Sequence, residues 1–431
     1  MAPGKQMSIG MKIDYRATDR VRAMISSLGR TEDVRFSPSN RRLAIAAFNK
    51  SRIAILDVEV GKAGGSPELS LTGGFEISSH ALSFPHGVDF LDDETIAVAS
   101  RDGGVAIFKL PVAHADDCEL APIQHLVPGG GSIVHTPGSV SVLHGEGGLC
   151  ELLICNNYAD NVSRHTVDRN AGCSIVKSDT LIRKWLYLPD GVCASRDGRW
   201  IAVSNHNTHG VLLYERSASL NEDSSPVGVL RGVSFPHGMR FSADGRHLFL
   251  ADAGAPFVHV YACDGQGWHG TRLPAASIRI MDEQVFRRGR NNLQEGGPKG
   301  IDLDKSMTVL ATTCEFQSLQ FLDAAAVLAA TSSGSPVMEV EYELGALQVD
   351  VEARERGRDA PEARAAERRI RELELLAAHH ERRAEKFKAK AARQKAKVAR
   401  AKAKAGFVIG GEPRRITAPL SWLFYAFKRQ N

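Results

Sequence analysis

Residues 189–215 read PDGVCASRDGRWIAVSNHNTHGVLLYE, and residues 236–263 read PHGMRFSADGRHLFLADAGAPFVHVYAC. Both open on Pro-X-Gly and run into an apolar strand. Both then turn at Asp-Gly (Asp197-Gly198, Asp244-Gly245), enter a second apolar strand and, after a short gap, a third. Asp-Gly supplies the positive φ that a tight hairpin needs. The strands Trp200-Ile201-Ala202-Val203 and Leu248-Phe249-Leu250 are short and bounded by turn residues.

Four further segments follow the same pattern, beginning near Glu32, Pro85, Pro137 and Pro298. The residues expected just before each first strand are Asp33, Gly87, Ser139, Gly191, Gly238 and Gly300, at intervals of 54, 52, 52, 47 and 62. A period of about 50 residues with several short strands marks the blades of a propeller. The sequence therefore predicts an all-β domain over residues 31–345, a six-bladed β-propeller of four-stranded antiparallel blades, plus a C-terminal long α-helix. The fourth strands fall in the longer gaps, with Val337–Tyr342 the candidate in the last blade. Met11 to Tyr15, within the N-terminal segment 1–30, is the candidate strand that closes the ring and removes an exposed sheet edge. The long interval marks an insertion, residues 282–298, read as a functional or flexible loop.

Composition agrees with a soluble globular chain: 43% hydrophobic and 24% charged residues, net charge +4. The 7 cysteines include no C-x-x-C pair, which argues against a zinc knuckle or a thioredoxin-type site and for free thiols in a reducing compartment. No apolar signal core opens the chain and no run reaches the ~18 apolar residues of a membrane span. The expected location is the cytoplasm, with a peripheral position on the inner face of the membrane as its variant. No G-x-S-x-G, H-E-x-x-H or Walker A pattern occurs.

In a four-stranded meander the start of the first strand and the end of the second lie on one face. The first of these positions is occupied in turn by Glu32, His86, Gly138, Asp190, His237 and Lys299. Blades three apart sit across the axis, so His86 should face His237 and Glu32 should face Asp190. Two imidazoles and two carboxylates on one axis form a candidate site for one divalent metal: zinc, manganese or iron. The alternative is that histidine is simply tolerated inside a Pro-X-Gly turn. The second set, at the strand ends, is Asn49, Arg101, Asn156, Asn205, Asp252 and Glu315, with His206 following Asn205. Arg101 and Lys299 are candidates for an anionic group of a substrate, and Asn156 and Asn205 for its polar groups.

The pattern P-x-G-[apolar]-x-[apolar], then D-G, then strand ends such as Val203-Ser204-Asn205 and Leu250-Ala251-Asp252 resembles NHL and YVTN propellers and the gluconolactonase-lactonase (TolB-like) superfamily, over about residues 30 to 345. The resemblance implies a channel metal held by a carboxylate and asparagines, with a strand-end aspartate as general base. Asp252 and Asn205 match such positions, and Glu32 is the nearest counterpart of the family's N-terminal glutamate. His237 departs from the pattern, standing where those families show asparagine. The two Pro-His-Gly sequences are similar instead to NHL-type lyases, which use channel histidines on zinc.

After a linker over 346–359, residues 360–405 turn to Ala, Arg, Lys and Glu. The start at Asp359-Ala360-Pro361-Glu362 and the stop at Gly406 predict a helix of about 65–70 Å. Ile370, Leu373, Ala377, His380, Ala384 and Phe387 form a heptad seam that suits a coiled-coil oligomer. Lys386, Lys388, Lys390 and six more cations up to Lys404, with no acid among them, attract polyanions. No groove-reading motif or stacking platform accompanies them, which ranks specific nucleic-acid recognition last. Residues 406–431 end in an aromatic, cation-flanked run with Trp422, Phe424 and Phe427, suited to an anionic membrane surface or a partner protein. Arg415 to Leu420 also resembles short tails after coiled coils in bacterial enzymes of surface-polysaccharide synthesis.

Two function classes stand side by side. One is a binding propeller that recognises a small molecule, glycan or protein at its channel mouth and is tethered by its tail, in a setting such as surface-polysaccharide synthesis. The other is a metal-dependent lactonase-like hydrolase or NHL-type lyase.

Overall fold

Each Pro-X-Gly segment forms an innermost strand, and the alternation that follows builds a meander outward from it. A computed structural model describes residues 11–331 apart from 113–115, 266 and 291–293. Blade one is Thr31–Phe36, Arg42–Ala47, Arg52–Ala63 and Ser66–Ser78; blade two is Pro85–Asp92, Thr95–Ser100, Gly104–Lys109 and Gln124–Leu126. Blade three is Pro137–His144, Leu149–Asn156, Asn161–Asp168 and Ser174–Ile182; blade four is Pro189–Ala194, Trp200–Asn205, Gly210–Glu215 and Gly228–Leu230. Blade five is Pro236–Phe241, His247–Asp252, Phe257–Ala262 and Ala276–Arg279. In blade six, Pro298–Leu303, Val309–Cys314 and Gln320–Asp323 are completed by Lys12–Ile13, which pairs antiparallel with Phe321 and Leu322. The N-terminal strand thus closes the ring in the fourth position of the last sheet.

The count of six is carried by the packing as much as by the strands. One hydrophobic cluster lies at each junction between neighbouring blades: Leu43, Phe36 and Phe321 join six to one, for example, and Leu213, Trp268 and Leu250 join four to five. The other four junctions are filled in the same way. Burying both faces of every sheet is the main stabilising term of such a ring. Outer edges carry extra cover. Tyr15–Ala17 and Cys118–Glu119 pair parallel with the last strand of blade one, and Gly270–Arg272 with the last strand of blade four. Covered edges cannot template pairing with another chain.

Turn chemistry is as the sequence requires. Gly198 and Gly245 both sit at φ +69°, and Asp197 and Asp244 each accept hydrogen bonds from the turn, from Ser195 and Ser242 Oγ at 2.5 Å. The insertion 282–298 contains a short helix, Glu283–Gly289, capped by Asp282. The seven cysteines are free thiols. Among the described residues no helix is long and apolar enough to cross a membrane. The strand expected at 337–342, the linker, the basic helix with Lys386, Lys388 and Lys390, and the final segment with Trp422, Phe424 and Phe427 lie outside the described residues.

Candidate metal centre at the channel mouth

All six inner strands begin three residues earlier than the sequence reading places them, and all six carry a register irregularity at the same place. The ladder skips between Thr31 and Val34, Pro85 and Gly87, Pro137 and Ser139, Pro189 and Val192, Pro236 and Met239, and Pro298 and Ile301. A bulge re-aims the residue within it. Here that residue is Glu32, His86, Gly138, Asp190, His237 or Lys299. In five of the six blades the next position is glycine or serine, for a steric reason: a Cβ on Gly191 would lie 2.3 Å from the His237 carbonyl oxygen, and one on Gly87 would lie 2.7 Å from Ser139 Cα. Glycine lets adjacent inner strands approach closely enough for the ring of side chains to meet.

They do meet. His86 and His237 stack with ring centroids 5.1 Å apart and planes at 24°. His237 Nε2 lies 2.8 Å from Asp190 Oδ2 and 3.4 Å from Glu32 Oε2, and His86 Nε2 lies 3.5 Å from the same Glu32 oxygen. Glu32, His86 and His237 thus offer ligand atoms all within 4.8 Å of one another, and all three residues are buried. Glu32 Oε2 makes no hydrogen bond of ordinary length. Glu32, His86, Asp190 and His237, together with Asp33, Arg35 and Ser139, line a narrow cavity of about 10 Å³, room for about one water molecule.

Around this core stands a second ring, one residue past the strand ends: Phe48, Arg101, Asn157, His206, Ala253 and Glu315. Arg101 Nη2 lies 2.8 Å from His86 Nε2 and donates to Asp190 Oδ1 at 3.3 Å. Asn157 Nδ2 donates to the same oxygen at 2.5 Å, in space left by the missing side chain of Gly138, where a Cβ would sit 2.1 Å from Asn157 Oδ1. Glu315 Oε2 pairs with Arg30 at 3.2 Å, and Arg30 also lies against Glu32 Oε1 while covering the Phe48 ring. The insertion delivers Glu295 into the channel, 2.9 Å from Lys299 Nζ and 3.5 Å from His206 Nε2. Lys299, 1% exposed, also donates to Glu32 at 3.1 Å.

The strand-end residues themselves face elsewhere. Asn156 takes the His135 N–H at 2.8 Å and donates to Asn161 and Ser163. Asn205 takes the Tyr187 N–H at 2.6 Å and donates to the Trp185 carbonyl. Asp252 does the same job in blade five: its oxygens accept from Ser234, Phe235 and Gly254 N–H groups, each at 2.9 Å, and Oδ2 lies 3.2 Å from His259 Nε2. A carboxylate has about four acceptor positions, so Asp252 is fully occupied holding the loop that leads into its own blade. Side chains alternate faces along a strand, and the strand-end set was one residue out of step in these three blades. Asn157 and His206 hold the channel positions there. Lys299 is brought to the centre, but as an ion-paired group between three carboxylates.

No protein-family model matches the sequence, and no curated protein does. The structure shows the six-bladed propeller itself and no narrower kinship.

Electrostatics divide the two histidines. Burial, then Arg101, pushes His86 down to about 3, so the ring is neutral. Its Nδ1 lies 2.6 Å from the Gly138 carbonyl, which can only accept; the proton is therefore on Nδ1 and the lone pair on Nε2, facing the cluster. Burial opposes a charge on His237 as well, but Asp190 and then Glu32 outweigh it and lift the ring to about 9. Burial would raise the Glu32 carboxyl, yet Arg30 and Lys299 hold it well below the usual range. His237 and Arg101 do the same for Asp190. Glu32, Asp190, Glu295 and Glu315 thus face Arg30, Arg101, Lys299 and His237 across the mouth.

Proposed function

We propose that the protein is a ligand-binding propeller whose channel mouth holds one divalent metal on Glu32, His86 and His237, with Asp190 beside them, and receives a small molecule there. The observation that carries this reading is the unbonded Glu32 Oε2, buried and 3.4–3.5 Å from two imidazole nitrogens. Metal–ligand bonds of about 2.0–2.1 Å at tetrahedral angles set ligand atoms roughly 3.3–3.4 Å apart. The Nδ1 contact of His86 to a backbone carbonyl is the outer support usual for a metal-bound imidazole. Two histidines and a carboxylate suit zinc, and also iron(II) or manganese. Two local changes complete the fit: the proton on His237 leaves, and Arg101 withdraws from His86. The bound metal would act as a Lewis acid toward an oxygen of the ligand.

Binding ranks ahead of hydrolysis or lyase chemistry because Asp252, the expected base, has its acceptor positions filled. A tether through the basic tail, to an anionic membrane surface or an assembly, belongs to the same proposal. Elemental analysis of full-length protein tests the metal. About one equivalent that disappears in His86→Ala/His237→Ala supports it, and metal-free protein after dialysis against zinc, manganese and iron(II) rejects it. Co-sedimentation with anionic liposomes, with and without residues 380–431, tests the tether.

A further inference from the structure

Arg101 stands where the metal must be approached. With Nδ1 committed to Gly138, Nε2 is the ligand atom left to His86, and it lies 2.8 Å from Arg101 Nη2. A guanidinium and a metal ion cannot share one lone pair. The two cations nearest the triad differ in burial: Lys299 is 1% exposed and paired with three carboxylates, whereas the Arg101 side chain is 22% exposed and paired with Asp190. Arg101 follows directly on the end of a strand, at Ser100, and precedes the turn glycines Gly103 and Gly104.

We propose that Arg101 is a built-in cation that closes this site, and that the ligand is a small chelating anion which takes Arg101 onto its own carboxylate while its oxygens join the metal. This deepens the metal reading above and rests on it. Charge supplies the reason. With His237 neutral as a metal ligand, the four carboxylates Glu32, Asp190, Glu295 and Glu315 face three cations, Arg30, Arg101 and Lys299, so a divalent ion leaves one positive charge in excess, and such an excess is costly unless an anion enters with it. Arg101 donates to His86 and to Asp190 at once; turned off His86, its planar fork pairs two-pronged with a carboxylate. Chelation and ion pairing together select a short carboxylate bearing a neighbouring oxygen, and a neutral sugar or a peptide lacks one or the other. Metal and anion should therefore bind cooperatively.

The test titrates full-length protein with Co2+, followed by visible absorption, with and without glycolate at matched free Co2+. In the wild type, glycolate should raise Co2+ affinity about tenfold, an ordinary coupling between two ligands. Arg101→Met should bind Co2+ about tenfold more tightly without glycolate, and glycolate should add little. Arg101→Lys, which keeps the charge, should stay near the wild type, and circular dichroism checks that each variant is folded. If Arg101→Met binds no more tightly than the wild type, or glycolate leaves the wild type unchanged, the inference is wrong while the metal reading stands. If none of the three proteins binds Co2+, the metal reading has failed and takes this inference with it.

Discussion

At the channel mouth, Glu32 and Asp190 face imidazole, ammonium and guanidinium groups. Three residues further along the same kind of inner strand, Asp89 and Asp302 accept backbone N–H groups of the next blade, from Val142 at 2.8 Å and from Phe36 at 2.7 Å. Asp33 does likewise with Val88 at 3.0 Å. Arg35 lies between these acids and donates to the Ile301 carbonyl at 2.9 Å, and Arg240 donates to Asp302 at 2.6 Å. The deep acids are staples between blades, made necessary because each inner strand presents an edge with unpaired N–H groups. Their balance of charge also differs. Burial, only partly offset by Arg35, raises Asp33, Asp89 and Asp302 to about 6, whereas the mouth acids are held low by several cations. The same residue types build structure where their partner is backbone, and a candidate ligand site where their partners are other side chains.

That contrast breaks most easily at Arg35. Arg35→Met leaves three buried acids short of their shared guanidinium and should cost about 3–5 kcal/mol at pH 7, read by urea unfolding. The loss should shrink near pH 5, where Asp89 and Asp302 take up protons. A loss under about 1 kcal/mol at pH 7 would show that the deep ring is not held by charge. Gly191→Ala forces a Cβ against the His237 carbonyl and should cost about 1–3 kcal/mol, with metal binding weakened as well; an alanine tolerated in both respects would contradict the close approach of the inner strands. Asp252→Asn removes one acceptor from a loop and should cost about 1 kcal/mol with metal content unchanged. A large loss of metal there would return Asp252 to the site. At the mouth, His86→Gln should cost no more than about 1 kcal/mol and yet abolish metal binding.

The pH dependence of the deep ring gives a smaller and finer reading. Asp89 and Asp302 have folded values near 6 against 3.8 unfolded. The protonated form is thus favoured by folding. Their contribution is greatest below about pH 4, falls as the pH rises toward 6, and is level above that. Asp89→Asn should flatten part of this decline in the pH profile of unfolding free energy; an unchanged profile would mean that Asp89 ionises normally.

The blades were legible because each repeats Pro-X-Gly and most turn on a short polar hairpin, and the ring of Glu32, His86, Asp190 and His237 was legible because it occupies one fixed position in that repeat. The opposition of His86 and His237 followed from the number six alone. The second ring is displaced by one residue in blade one, where Phe48 and not Asn49 holds the position, and in blades three to five, since nothing local tells which of Asn156 and Asn157 ends the pairing, and one step reverses the face. Arg30 and Glu295 were not found. Arg30 precedes its strand, and Glu295 arrives from an insertion whose path is set by packing of Phe286 and Gly296 rather than by the repeat.

The most direct measurement is anomalous diffraction at the zinc edge from crystals of the full-length protein grown with zinc. The expected result is one strong peak within about 2.0–2.2 Å of Glu32 Oε2, His86 Nε2 and His237 Nε2, with Arg101 turned away from His86. Zinc-saturated crystals showing no peak between these three atoms, with Arg101 still against His86, would contradict a metal centre at the channel mouth.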